Sequence, residues 1–354
     1  MDLKKHNSNL EAWFLSLKPE QFPGEEDYVA YYKSLKGKLS KVQKQVTQGA
    51  DKTDGTSLTW HDQSHIDTVV KQVSDLISYK SAELTPFEVF LLLTSIQIHD
   101  VMNSDGREEH ELRSIDILSI LQIGGLVDSV TKNVIKNIVA CHSGYYNRGD
   151  YKEKDKIGYL FQYEESLKGE KIRFQFLAAL LRLADEYSDN EYRAMSYLLE
   201  MGKIQDLSEI HHKYAECLHS VMIGKDTGIV DFDFHIQIKD ASRMFKKYDK
   251  EKQTEEMVYL IDEIFLRTLK SHYETIYCMR YLRPFVTITK LSIKIKVELS
   301  DITKPLSTKY ELVEKGYPSG SYNIMDYCQD QLRLNGSYWS GYHIKEYIEK
   351  YKLT

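Results

Sequence analysis

An apolar run occupies residues 91–98 and ends abruptly in His99 and Asp100. Leu and Ile with few polar interruptions predict a buried helix, and Thr85-Pro86 marks its start because proline is favoured at the first helical position. An imidazole and a carboxylate buried side by side cost desolvation free energy unless something compensates both. A divalent metal ion does so, since neutral histidine and ionised aspartate are good ligands. The alternative is a hydrogen-bonded core histidine beside a helix-capping aspartate.

Periodic apolar positions predict further helices around this run. One covers residues 58–77 and carries His65, another covers residues 111–121, and a third ends near His142. Residues 171–194 predict a strong helix in which Asp185 closes a second apolar run. The N-terminal 48 residues indicate one or two amphipathic helices, and the polar stretch 147–170 indicates a long loop of the kind that forms lids or binding loops.

The pattern changes beyond residue 200. Residues 230–238 and 286–299 alternate as strands do, and residues 255–279 between them predict a long amphipathic helix. The polar tail ends in a predicted helix. We therefore expect a mainly α protein with a small C-terminal α+β appendage. The predicted division is an N-terminal helical extension, a core domain, the appendage and a tail, at residues 1–50, 51–200, 201–300 and 301–354.

Composition narrows the function classes. Hydrophobic residues at 42% and charged residues at 28% are typical of a globular protein. The net charge of -6 argues against general DNA binding. Four cysteines without CxxC spacing fit a reducing compartment. Because neither a signal core nor an apolar run of spanning length is present in the sequence, we expect a cytoplasmic protein without a membrane segment.

Five polar residues end or punctuate the predicted buried helices. Burying them together would contribute little to stability, whereas their convergence on metal would explain them. Three imidazoles and two carboxylates can hold one divalent ion with open positions, or two ions that share ligands. The predicted metal ligands are His65, His99, Asp100, His142 and Asp185.

The order of these residues resembles the HD superfamily of metal-dependent phosphohydrolases. His65, the His99-Asp100 pair and Asp185 match its H…HD…D order, and the resemblance covers residues 55–195. The segments WHDQSHIDTVV and AALLRLADEYSDNEYRA are most similar to the HD-CE domains of bacterial conflict systems. The resemblance implies a helical HD bundle, one or two divalent ions (Mn, Fe, Co, Ni or Mg) and attack of an activated water on phosphorus. Many members have Ile-Gly after the pair, whereas this chain has Val101-Met102.

A second motif is similar to one subgroup of this superfamily. His110, Glu111 and Ser114 resemble the HExxS element of deoxynucleoside triphosphate triphosphohydrolases, although the connection from Asp100 is shorter here. Asp100, His110 and Glu111 are therefore the predicted catalytic residues. Two alternatives remain: His110 and His142 bind a second metal, or His110 is a surface residue at a helix start.

Cationic and aromatic residues near these motifs are candidates for substrate contact. Arginine can bind phosphate through two hydrogen bonds, tyrosines can stack on a base, and a histidine one turn before His65 shares its helix face. The predicted substrate-binding residues are His61, Arg113, Tyr145, Tyr146, Arg148 and Arg193.

The leading functional hypothesis is a deoxynucleoside triphosphate triphosphohydrolase. The resemblance to HD-CE domains of conflict systems implies a role in antiphage defence or in nucleotide signalling. One alternative is a phosphodiesterase or phosphatase of a cyclic or oligonucleotide messenger. Another is a nucleotide-sensing module with weak catalysis. The resemblance also implies a nucleotide substrate, a nucleotide effector and a homo-oligomer.

Overall fold

A computed structural model describes the chain at residue 3 and at 9–49, 59–78, 83–105, 110–123, 127–143, 146–148, 151–162, 165–224, 226–249, 252–298, 306–314, 323–328, 331–334 and 336–351. Its α-helices are α1 (Leu10–Leu15), α2 (Tyr28–Gly49), α3 (Gln63–Ile77), α4 (Pro86–Ile98), α5 (His110–Arg113), α6 (Ile117–Ile120), α7 (Ser129–Ala140), α8 (Lys156–Leu160), α9 (Phe174–Glu186), α10 (Ser196–Glu200), α11 (Asp206–Cys217), α12 (Ile238–Ala241), α13 (Leu260–Leu282), α14 (Met325–Cys328) and α15 (Gly341–Tyr351). Its strands are β1 (Tyr146–Arg148), β2 (Tyr151–Glu153), β3 (Glu165–Leu167), β4 (Glu170–Ile172), β5 (Leu218–Gly224), β6 (Ile229–Gln237), β7 (Met244–Asp249), β8 (Thr254–Tyr259), β9 (Lys290–Glu298), β10 (Leu306–Val313), β11 (Arg333–Leu334) and β12 (Ser337–Tyr338).

The fold class is the predicted one, mainly α with a small α+β part towards the C-terminus. Two compact units divide the chain. Unit 1 comprises Met1–Asp54, His61–Ser188 and Tyr277–Thr287, and unit 2 comprises Gly55–Trp60, Asp189–Ile276 and Ile288–Thr354. Within the described ranges, no helix combines the length and the apolarity that crossing a membrane requires.

Helix α4 is the central element of unit 1. The Thr85 hydroxyl accepts from the Glu88 backbone N–H, the Glu88 carboxylate accepts from the Thr85 N–H, and Pro86 fills the first turn, so the predicted start is confirmed. Every residue of α4 after Pro86 is buried. A helix that is apolar on all sides belongs in the middle of a core, and α3, α7 and α9 pack around it.

Helices α4 and α9 begin side by side. The Arg173 guanidinium at the start of α9 binds the buried Glu88 carboxylate through Nε and a terminal nitrogen, at 2.9 and 2.6 Å. Both helices are 13 residues long. Since an α-helix rises 1.5 Å per residue, two parallel helices of equal length that start together also end together. His99 and Asp185 are therefore brought to the same place at the C-terminal ends of the two helices.

Aromatic rings fill the unit 1 core next to α4. Phe90 of α4 lies 4.5 Å from the Tyr28 ring and 6.5 Å from the Phe14 ring, measured between centroids. The helices α1 and α2, which carry Phe14 and Tyr28, are thereby packed on α4. The sequence predicted one or two N-terminal helices, and two are present, α1 and α2.

Unit 2 contains a four-stranded sheet in the order β10-β9-β6-β5. Strands β6 and β9 are parallel, from Ile229 opposite Lys290 to Gln237 opposite Glu298, and the other pairs are antiparallel. The long helix α13 lies between β6 and β9 in the chain, as the alternation of the sequence predicted. Unit 2 includes the first turns of α13, whereas the residues from Tyr277 onward belong to unit 1.

Several predictions of local structure are wrong, including the helix predicted over residues 171–194, which ends at Glu186. The predicted 147–170 loop contains β1, β2, α8 and β3, and the polar tail contains β10. The turn of the β3–β4 hairpin places Lys168 and Gly169 at φ 52° and 81°, the conformation that tight hairpins require. The predicted 255–279 helix starts only at Leu260, because the preceding residues pair with β7 as strand β8. The predicted 111–121 helix is interrupted by a 3-10 turn at Ser114–Asp116.

Candidate metal centre

Side chains from three helices converge at the C-terminal end of α4. The His65 Nε2 atom of α3 lies 3.2 Å from the Asp185 Oδ1 atom of α9 and 3.7 Å from the Asp100 Oδ2 atom. His99 Nε2 lies 3.2 Å from Asp100 Oδ2 and 3.5 Å from Asp185 Oδ1. The ligand atoms of these residues all lie within 4.8 Å of one another. We call His65, His99, Asp100 and Asp185 the first group.

Asp100 also belongs to a second group, formed with His110 and His142. Its Oδ1 atom lies 3.2 Å from His110 Nε2 and 3.5 Å from His142 Nε2. The two imidazoles are 3.3 Å apart at their Nε2 atoms. Each Asp100 oxygen therefore faces a different set of histidines, so that one carboxylate can bridge two ligand groups.

Backbone carbonyls fix the orientation of two of these histidines. His99 Nδ1 lies 2.8 Å from the Ile96 carbonyl oxygen, and His142 Nδ1 lies 2.6 Å from the Val139 carbonyl oxygen. Because a carbonyl only accepts, Nδ1 must carry the proton in both rings, which leaves the lone pair of each neutral ring on Nε2. Both Nε2 atoms face carboxylate oxygens. Lone pairs that face each other repel unless a cation lies between them. A hydrogen bond from the other ring nitrogen, such as the one that Nδ1 makes here, usually accompanies a metal-binding histidine.

The pKa shifts in the first group show that its imidazoles and carboxylates interact strongly. Burial tends to lower the pKa of His99, but the Asp100 and Asp185 carboxylates outweigh burial and raise it well above its usual value. Burial would likewise raise the pKa values of Asp100 and Asp185, yet the histidines hold both well below the usual range. The two carboxylates therefore favour a positive charge beside His99, and a divalent ion would supply such a charge.

The chain leaves the His99-Asp100 pair in a 3-10 turn, Val101–Asp105, rather than in a glycine turn. Asn103, which is 1% exposed, closes this turn. Its side-chain Nδ2 donates to Asp100 Oδ1 at 2.9 Å, and its backbone N–H donates to the Asp100 carbonyl at the same distance. Asn103 therefore orients the bridging carboxylate.

Two of the predicted catalytic residues meet here, because His110 belongs to the second group and Glu111 contacts it. Glu111 Oε2 is 3.4 Å from His110 Nδ1, on the ring edge opposite Asp100. Glu111 Oε1 accepts a hydrogen bond from the buried Lys156 at 3.2 Å. Burial tends to raise the pKa of Glu111, but Lys156 and the nearby histidines lower it below its usual value. Ser114 donates to the His99 carbonyl at 2.8 Å, which attaches α5 to the end of α4.

The predicted substrate-binding residues lie in different places. His61 is buried, with Nε2 3.8 Å from Asp100 Oδ2. Arg113 is half-buried at the end of α5. Arg193 belongs to unit 2, where it is buried, binds the Trp60 carbonyl at 3.2 Å and pairs with Asp189. Tyr146 and Arg148 are in β1, where only their backbone is described, and Tyr145 lies outside the described residues.

Sequence reasoning missed three residues that support the site. Asn103 could have been found, because it follows Asp100 by one turn. Lys156 is in the stretch predicted to be a loop and gives no sequence signal. Arg182, three residues before Asp185, donates to the Cys141 carbonyl at 3.3 Å and lies over the Tyr277 ring at 4.7 Å. Because Cys141 precedes His142, this contact places the second group relative to α9.

The donor set fits a divalent metal ion. Imidazole nitrogens and carboxylate oxygens at these distances are typical ligands of first-row divalent metals. Two of the imidazoles are oriented by backbone carbonyls, and the bridging carboxylate is oriented by Asn103. The buried cluster could therefore bind one ion in the first group, and a second ion in the group around His110 and His142.

Comparison with known proteins gives one match. The HD-CE family model matches residues 46–262, which is more than half of the chain. This match confirms the resemblance seen in the sequence and extends beyond residues 55–195 on both sides. No curated protein and no solved structure matches the chain.

Proposed function

Because the chain belongs to the HD-CE family, we propose that it is a metal-dependent phosphohydrolase that acts on nucleotides. The observation that carries the proposal is the division of Asp100 between two ligand groups, with Oδ2 towards His65 and His99 and Oδ1 towards His110 and His142. A buried arrangement of this kind has no evident structural benefit, since buried charges rarely add stability.

The proposed roles follow from what each residue contacts. His65, His99, Asp100 and Asp185 would hold a divalent ion, which supplies activation of water and neutralisation of phosphoryl charge. The Ile96 and Val139 carbonyls keep the His99 and His142 rings in the tautomer that presents Nε2 to the site. Glu111, held ionised by Lys156, faces Nδ1 of His110 and favours a proton on that nitrogen.

Within this class we favour a deoxynucleoside triphosphate triphosphohydrolase. The support is the position of His110 and Glu111, which form a contacting pair directly beside Asp100. In this proposal water attacks the α-phosphorus and the bond from that phosphorus to the 5′ oxygen breaks, which releases triphosphate. His110 donates a proton to the departing 5′ oxygen, and Glu111 orients the His110 ring. General acid–base catalysis by a positioned histidine typically contributes about 10²–10⁴-fold to the rate.

The alternative is a phosphodiesterase or phosphatase that acts on a cyclic or oligonucleotide messenger. The observation in its favour is that Asp100, His110 and His142 present ligand atoms within 4.8 Å of one another. In that case His110 is a metal ligand rather than a proton donor. A count of two tightly bound ions per chain would favour this alternative.

The decisive experiment is a nucleotide panel. The protein, loaded separately with Mn²⁺, Fe²⁺, Co²⁺, Ni²⁺ or Mg²⁺, is incubated with deoxynucleotides, ribonucleotides and cyclic or oligonucleotide messengers, and the products are resolved by chromatography. Asp100→Asn is the inactive control, since the substitution nearly preserves side-chain size. Release of tripolyphosphate from a deoxynucleotide establishes the first proposal, and cleavage of a messenger establishes the alternative. Saturable nucleotide binding without turnover under any metal would refute both and leave a nucleotide-sensing module.

The resemblance to the HD-CE domains of bacterial conflict systems supports a proposal for the wider role. We propose that the protein acts in antiphage defence, in the cytoplasm, as a homo-oligomer controlled by a nucleotide effector. All four cysteines are buried thiols, which is compatible with a reducing compartment. Light scattering with and without nucleotides measures the oligomer. Phage challenge of cells that carry wild-type or Asp100→Asn protein tests the defensive role, and equal phage survival in both strains would refute it.

A further inference from the structure

Lys156, at the start of α8, is fully buried at 0% exposure. Its ammonium group donates to Glu111 Oε1 at 3.2 Å and to the Ser143 carbonyl oxygen at 2.9 Å. A lysine is almost never fully buried without a paired charge and hydrogen-bond partners. Each of its two partners adjoins a histidine of the second group.

The first partner leads to His110. Glu111 directly follows His110 in the chain, and its other carboxylate oxygen lies 3.4 Å from His110 Nδ1. The second partner leads to His142, because Ser143 is the next residue after it. One ammonium group thus connects the segments that carry the two histidines facing Asp100 Oδ1. His65 and Asp185, by contrast, are held by α3 and α9, to which Lys156 does not belong.

Lys156 is itself held by a polar anchor on the neighbouring residues. The Asp155 carboxylate caps α8 by accepting from the Gly158 N–H at 3.1 Å. The same carboxylate accepts from the Tyr277 hydroxyl at 3.0 Å and from the Tyr281 hydroxyl. The Tyr277 oxygen in turn accepts from the Ile157 N–H at 3.0 Å. The backbone on both sides of Lys156 is therefore fixed, which leaves the ammonium little freedom to move away from its two partners.

We infer that Lys156 is a positioning residue that holds His110 and His142 in register with Asp100, through Glu111 and the Ser143 carbonyl. The inference rests on the two-ion alternative of the proposed function, in which His110 and His142 are ligands of a second metal ion. Lys156 does not touch the ligand atoms, so its effect must pass through Glu111 and the backbone. Loss of Lys156 should disturb the second group and leave the first group intact.

The test compares four variants with the wild-type protein: Lys156→Met, Glu111→Gln, the double variant, and Lys154→Met as matched control. Lys154 is exposed two residues away, so its replacement removes the same charge without touching the site. Mn²⁺ binding is measured by titration calorimetry, folding by thermal unfolding, and turnover on the deoxynucleotide panel. In the two-ion alternative, the wild-type protein binds two Mn²⁺ ions of unequal affinity.

Lys156→Met should reduce the affinity for the more weakly bound Mn²⁺ ion about 10- to 100-fold, which is the usual effect of losing a residue that supports metal ligands. The affinity for the more tightly bound ion should change by less than about twofold, and Lys154→Met should change neither affinity. Because Lys156 and Glu111 share one contact, the double variant should lose less affinity for this ion than the product of the two single losses. It should still lose more than Glu111→Gln, because the contact with the Ser143 carbonyl is also removed. The double variant also removes both charges, so it leaves no buried unpaired carboxylate if Lys156→Met does not fold.

Three results would overturn the inference: an unchanged affinity for the more weakly bound ion in Lys156→Met, a loss in the double variant as large as the product of the two single losses, or a single Mn²⁺ ion in the wild-type protein. Absence of wild-type turnover with every metal and nucleotide would instead refute the proposed function. The calorimetric comparison would then still decide the role of Lys156.

Discussion

Replacement of Asn103 by alanine should weaken metal binding although Asn103 is not a predicted ligand. The Asn103 amide donates to Asp100 Oδ1 at 2.9 Å, on the side that faces His110 and His142. Alanine removes that hydrogen bond but keeps the backbone N–H that donates to the Asp100 carbonyl. The turn should therefore persist while the carboxylate loses one of its orienting partners.

The magnitude follows from the charge of the acceptor. A hydrogen bond to a charged group is worth about 1.5–3 kcal/mol. Because about 1.4 kcal/mol corresponds to tenfold in affinity, the full loss would be roughly 10- to 150-fold. This range agrees with the roughly 10- to 100-fold cost of removing residues that support metal ligands. We expect the loss mainly for the ion on the Oδ1 side of Asp100, with a parallel fall in turnover.

The assay is Mn²⁺ calorimetry combined with turnover on the nucleotide panel. Asn133→Ala is the matched control, because Asn133 is exposed on α7 and loses the same side chain. Thermal unfolding shows whether the variant remains folded. A folded Asn103→Ala protein that binds both ions within twofold of wild type would refute the argument that this amide orients Asp100.

The remaining predictions concern the ligand groups and unit 2. Asp185→Asn should weaken only the ion of the first group and His110→Ala only that of the second, whereas Asp100→Asn should weaken both; calorimetry that shows one common loss for all three would contradict two groups. Burial opposes ionisation of Glu263, but Arg267 and Lys247 lower its pKa from 4.5 to about 2, so its contribution is full above pH 4.5 and is lost as pH falls to 2, about 3 kcal/mol in all. Denaturant unfolding from pH 7 to 3 should show a smaller pH dependence for Glu263→Gln than for the exposed control Glu255→Gln. Burial lowers the pKa of His272 from 6.5 to about 4, so the folded state favours the neutral ring, and the corresponding stability, again about 3 kcal/mol, is lost as pH falls from 6.5 to 4. His272→Gln should remove this dependence, and an unchanged pH profile would contradict it.

The first ligand group could be anticipated from the sequence because its geometry follows from helices. His99 and Asp185 both end apolar runs, and apolar runs of helical length predict secondary structure more directly than other sequence features do. What the sequence did not show is that the Arg173–Glu88 contact aligns the starts of α4 and α9. This contact joins residues 85 positions apart. It determines that the two ends meet.

The parts that escaped prediction depend on turns and strand pairing. Lys168-Gly169 is a local turn signal, but it lies within the polar stretch that is predicted as one long loop. The sequence of strand β8 is as compatible with a helix as with a strand, and its pairing with β7 determines that it is a strand. Lys156 followed the same rule: nothing in its local sequence distinguishes it from a solvated lysine, since burial and its contact with Glu111 depend on the fold around it.

Helix α13 has a practical consequence for work with fragments of this protein. The family match ends at residue 262, shortly after α13 begins, whereas the hydroxyls that bind Asp155 come from Tyr277 and Tyr281. A recombinant piece cut at the limits of the match would lack those hydroxyls and the β9 strand that pairs with β6. Inactivity of such a piece would result from the loss of these supporting contacts and would not test the proposed chemistry of the whole chain.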